Sequence, residues 1–133
     1  MSTDNGYKAE IESTFAGFWR YNVAVTCGLF SEDGRQVGYA AAEDTIAPAG
    51  SNLAERPSGV AERRRITVST ADCHHLRMYI YLIPHTLPAS DKVLECKPFE
   101  ISIKISHGGR TILHEQRRIN QWSGASIEIT VPQ

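Results

Sequence analysis

The chain has 133 residues, 41% hydrophobic and 22% charged, a globular composition that excludes a disordered polar tail. A chain of this length buries roughly two-thirds of its unfolded surface, so it needs no disulfide or metal to hold a core. Fourteen basic residues against fifteen acidic give a formal charge of −1, which excludes a general pull toward nucleic acid or anionic lipid.

Along the chain, apolar residues recur with period 2 rather than with helical spacing. Met1 to Glu10 is polar and lacks the apolar run of a signal peptide, so a cytoplasmic location is expected, although a removed leader would leave the same sequence. The first strand is expected at Tyr7–Glu12 and the second at Trp19–Leu29. In the second, Trp19, Tyr21, Val23, Val25, Cys27 and Leu29 share a face. Ser31-Glu32-Asp33-Gly34 reads as a hairpin turn into a third strand, Arg35–Ala42. A long connection, Glu43 to Glu62, follows, with room for a helical turn at Ser51–Arg56. The fourth strand is expected at Arg63–Thr70.

The fifth, Leu76–Ile83, differs from the rest. Leu76, Met78, Ile80 and Leu82 form one apolar face and Tyr79, Tyr81 and Ile83 the other, as in a central strand covered on its second side by a loop or a partner. At six residues, its most apolar stretch, Met78 to Ile83, is too short to span a bilayer. After the connection Pro84 to Lys97, Phe99–Ser106 alternates cleanly. Gly108-Gly109 makes a tight turn into Thr111–Ile119, and Asn120 to Gly124 leads to the eighth strand, Ser126–Val131. Eight short strands in a single domain over residues 1–133 predict an all-β antiparallel sandwich, immunoglobulin-like or jelly-roll-like.

Because antiparallel strands reverse at each connection, the turns sort to two ends. One end gathers Glu32, Asp33, Asp72, Cys73, His74 and His107. The other gathers Arg63, Arg64 and Arg65 with Arg20, Arg56, Arg117, Lys92, Lys97 and Trp122. Asp33, Asp72, Cys73, His74 and His107 carry the donor types that would suit zinc or calcium, with Cys73 and His75 on one side of an extended chain. No spaced ligand motif is present, so turn polarity explains the same residues and no resident cofactor is expected. Cys73 could serve as a nucleophile only with a depressed thiol pKa and a base such as His107. Cys27 reads as core filling, and Cys96 sits in a loop. The arginine-rich end has enough nearby carboxylates to be charge-balanced.

No phosphate loop, nucleophile elbow or dinucleotide fingerprint occurs, so a non-catalytic role is expected. The favoured reading is an interaction module that binds another protein, or itself, through Phe30, Tyr79, Tyr81 and Ile83. The alternative is a metal- or small-ligand site at the Asp/Cys/His rim.

Overall fold

The computed structural model describes residues 6–60, 64–88 and 97–132. Eight strands appear in the expected order: β1 Tyr7–Glu12, β2 Tyr21–Phe30, β3 Gln36–Asp44, β4 Arg65–Ser69, β5 His75–Pro84, β6 Phe99–His107, β7 Arg110–Ile119 and β8 Ala125–Val131. They form two four-stranded antiparallel sheets, β4-β1-β6-β7 and β3-β2-β5-β8, packed as a sandwich. Among the described residues no helix is long and apolar enough to cross a membrane.

Alternation produces this arrangement directly. Ile11, Ile101, Ile103 and Ile105 of the first sheet face Val25, Leu76, Met78, Ile80 and Leu82 of the second, all essentially without solvent exposure. At one end an aromatic plug completes the core. The Phe15 ring stacks on Phe99 at 4.4 Å between centroids, and Phe18 and Tyr21 tilt against the same ring. Interior branched and aromatic side chains of this kind each contribute about 1.5–3 kcal/mol on burial.

Three local features depart from the sequence reading. Trp19 does not begin β2. The chain must cross from the first sheet to the second, and it does so through a 3-10 turn at Phe18–Arg20, which sends Phe18 rather than Trp19 into the core. No helical turn forms over residues 51–56. The polar groups there bond instead to the neighbouring connection: Asn52 N–H donates to the His85 carbonyl (2.8 Å), and Leu53 N–H donates to the Thr86 hydroxyl (2.9 Å). The β4 ladder begins at Arg65, and Arg63 lies outside the described residues, as do Lys92 and Cys96. The Gly108-Gly109 turn takes positive φ at both central positions (59° and 82°), the geometry that glycine permits.

Candidate functional site

Turn sorting holds at the first end. Thr70 N–H donates to Tyr7 O, His74 N–H to Phe30 O, and Gly108 N–H to Gly6 O, so the three turns converge beside the start of β1. Tyr7 is the hub. Its ring stacks on His107 at 4.1 Å, and its hydroxyl donates to the His74 carbonyl at 3.2 Å. Burial, aided by Cys73 and Asp72, raises the Tyr7 phenol above its ordinary value. His107 Nε2 stands 3.4 Å from Asp72 Oδ1. A cavity of about 270 Å³ lies beside Tyr7, His74 and His107, and its remaining walls are Ile112, Leu113, Val131 and Pro132.

The five expected ligands share this end without converging. Asp33 accepts hydrogen bonds from the Ser31 hydroxyl and the Arg35 N–H within its own turn, and these bonds lower its carboxyl pKa. His74 Nδ1 sits 3.3 Å from His75 Nδ1. Cys73 and His75 do not share a side as alternation implied. Cys73 packs toward the core and donates to the His75 carbonyl, while the His75 ring stacks on Phe30 outside. Among the described residues, no group of three or more His, Cys, Asp and Glu side chains could hold a metal ion. Burial, with Asp72 adding to it, raises the Cys73 thiol, the opposite of what a nucleophile or thiolate ligand requires.

Cys27 behaves as core filling should. Burial, with Cys73 nearby, pushes its thiol up to about 11 from an ordinary 9.0. Between these values the unfolded chain has released a proton that the folded chain retains. The contribution to stability is therefore complete below pH 9 and disappears as pH rises toward 11. The raised Cys73 and Tyr7 groups act in the same sense. Urea denaturation at pH 8 and again near pH 10.5 should show a stability loss that shrinks in Cys27→Ala; an undiminished loss would assign it to other groups.

At the opposite end Arg20, Arg64, Arg65 and Arg117 are each engaged by separate partners. Arg64 is buried against backbone carbonyls and Asp44, and Arg65 pairs with Glu12 at 3.3 Å. Arg117 pairs with Glu115 at 3.1 Å, and Arg20 donates to Gln121 at 2.6 Å.

The two outer faces differ sharply in chemistry. That of the first sheet is mostly polar, with Lys8 and Glu10 on β1, Glu100 and Lys104 on β6, and Gln116 and Arg118 on β7, although Ile112 of β7 is 42% exposed. That of the second sheet carries large apolar side chains in the open: Tyr39 is 74% exposed, Val37 56%, Ile83 47% and Tyr81 37%. Tyr79 lies on the same face, half-buried. Phe30 is less available than its sequence position implied, because it stacks on His75 (5.1 Å) and lies beneath the Arg77 guanidinium (5.4 Å).

Register orders this face. Gly28 lies between Tyr39 and Arg77, Thr26 between Ala41 and Tyr79, and Ala24 between Glu43 and Tyr81. The outer positions of β2 are thus small where those of β5 are large. A groove of about 400 Å³ lies among Tyr39, Arg77 and Tyr79, and the Phe30 ring is laid across Gly28 within it. Tyr39 and the small row of β2 were absent from the sequence-based candidate set. Their signal was the apolar wet side of the third strand, where Val37, Tyr39 and Ala41 alternate with equally apolar or small residues.

No family model and no curated protein sequence matches this chain. Two solved structures are similar to this chain. One is a DUF4425 family protein from Bacteroides ovatus, at 9% identity and a TM-score of 0.42, covering 95% of this chain and 92% of that one. The other is a DUF4425 domain of unknown function from Bacteroides vulgatus, at 9% identity and a TM-score of 0.43, covering 97% of this chain and 94% of that one.

Proposed function

We propose that this chain is a non-catalytic interaction module whose binding surface is the outer face of the β3-β2-β5-β8 sheet. The observation that carries the reading is the contrast between the two solvent faces. A sheet with one wet face normally alternates apolar-in and polar-out, as β1 and β6 do. Tyr39 on β3 and Tyr81 and Ile83 on β5 break that rule together on one sheet, with the small residues of β2 between them, and exposed apolar groups gathered on one face mark a contact surface. Tyrosine suits such a role because it offers a large rigid ring and a polar tip at low entropic cost. Glu43 and Glu128, on the edge strands, supply a hydrated rim.

Site-specific photo-crosslinking in cells of the source organism tests the reading. A benzophenone side chain replacing Tyr39 or Tyr81 should yield discrete protein adducts. The same group replacing Glu10 or Lys104 on the polar face should yield none. Equal labelling from both faces, or none from the tyrosine face, would refute the assignment.

A further inference from the structure

We infer that the occupant of this face is a second copy of the chain, docked about a twofold axis that runs parallel to the strands between β2 and β5; this rests on the face being the binding surface. The register carries the argument. At three successive outward levels β2 presents Ala24, Thr26 and Gly28, and β5 presents Tyr81, Tyr79 and Arg77 beside them. A twofold axis along the boundary between these strands lays β2 of each copy on β5 of the other, level by level. Tyr81 of one copy then sits over Ala24 of the other and Tyr79 over Thr26, while at the third level Arg77 meets the Phe30 ring that covers Gly28. At the two tyrosine levels each large side chain meets a small one, and the pattern repeats itself on the other side of the axis, as an isologous interface requires.

A twofold axis across the strands does not give this fit. It sets β5 on β5 and stacks Tyr79 against its own equivalent. Size is also adequate. Four strands about 4.8 Å apart and seven to ten residues long, at about 3.3 Å each, present a face of roughly 500 Å² in projection. Projecting side chains bring the accessible area toward the 600–1,000 Å² or so per partner of standard interfaces. The acidic groups of the face, Glu43 and Glu128, lie on β3 and β8, at the flanks of such a dimer where water reaches them. Aligned packing of two twisted sheets is the common geometry for faces of this kind.

Sedimentation velocity over about 1 µM to 1 mM tests the assignment. The wild-type chain should show a monomer–dimer equilibrium. Ala24→Tyr, which sets tyrosine against tyrosine twice per dimer, should weaken association at least tenfold. Tyr81→Ala, which empties the same two contacts, should weaken it to a similar extent. The double variant Ala24→Tyr/Tyr81→Ala exchanges large for small at one level and should return association to within about threefold of wild type. Thermal melting of each variant alone separates loss of pairing from loss of folding. A wild-type chain that stays monomeric throughout overturns the second copy as occupant and leaves the face to be judged by crosslinking. A dimer insensitive to both single substitutions overturns this inference and the assigned face together. A double variant as weak as the singles overturns the strand-parallel axis.

Discussion

Replacing Arg64 with alanine is expected to lower folding stability by about 2–3 kcal/mol, with the melting temperature falling by roughly 5–10 °C. Arg64 is only 5% exposed and acts as a clasp between the ends of three segments. Its Nη1 donates to the Phe18 and Tyr21 carbonyls, both at 2.8 Å, and Nε and Nη2 reach the Asp44 carboxylate at 3.0 and 2.9 Å. The guanidinium also lies 5.0 Å over the Phe18 ring. Asp44 is partly exposed, so the ion pair itself is screened and contributes little. The larger cost comes from losing the guanidinium's two bonds to the Phe18 and Tyr21 carbonyls inside a water-poor pocket, although the Phe18 carbonyl keeps the Tyr21 N–H as a donor. Asp44→Asn should therefore cost about 1 kcal/mol or less, and Arg64→Lys should recover less than half of the alanine loss, because an ammonium cannot span both carbonyls and the carboxylate. Urea denaturation of the three variants decides the matter. A loss below about 1 kcal/mol for Arg64→Ala would mean that water replaces the guanidinium and that the clasp is dispensable.

Gly124→Ala is expected to cost about 3 kcal/mol or more, far beyond the usual price of a side chain in a turn. Gly124 has φ of +69°, and a Cβ placed there would lie 2.0 Å from the Leu82 carbonyl oxygen and 3.0 Å from Pro84 Cδ. Leu82 pairs with Ala125, so the obstacle is the backbone of β5 at the point where β8 joins it and cannot swing aside as a side chain would. Gly109→Ala is the control. Its φ is +82°, but nothing lies within 4 Å of the added carbon, so only the conformational cost of about 1–2 kcal/mol remains. Chemical denaturation should separate the two variants clearly. Equal losses would show that the β5–β8 junction yields to accommodate the methyl group.

The strands were legible because a sheet that is wet on one side writes its geometry into every second residue. Phe99, Ile101, Ile103 and Ile105 could belong to no helix, and β6 begins where that pattern begins. Turn chemistry was legible for the same local reason at Gly34 and at Gly108-Gly109. What failed involved competition between segments distant in sequence. Trp19 and Phe18 are adjacent aromatics, and only the crossover to the second sheet, with Arg64 holding the Phe18 carbonyl, decides which one enters the core. The rim shows a second limit. Alternating turns correctly placed Asp33, Asp72, Cys73, His74 and His107 at one end, but sharing an end is weaker than converging on a point. Asp33 is held by its own turn and Cys73 by the core. The tyrosine face shows a third. Tyr79, Tyr81 and Ile83 stood out within one strand, whereas the neighbours that make them a surface, Gly28 and Tyr39, are set by register, which is written in no single strand.

Sheet order also governs how the chain comes together in time. β1 is the first strand in chain order, yet it is a central strand, paired on one side with β4 and on the other with residues 102–107 of β6. During synthesis Tyr7–Glu12 must wait until most of the chain has emerged before both of its ladders can close. β5 likewise waits for β8. Such pairings impose a large loop-closure cost before any contact rewards it, so folding is expected on the slow scale of milliseconds to seconds that is typical of non-local β topologies. Until then β1 and β5 carry unpaired edges and bare apolar faces. The nascent chain is thus most open to chaperone capture or misassociation in the interval between the emergence of β5 and that of β6, when β1 and β5 each still lack the neighbour that closes their second edge.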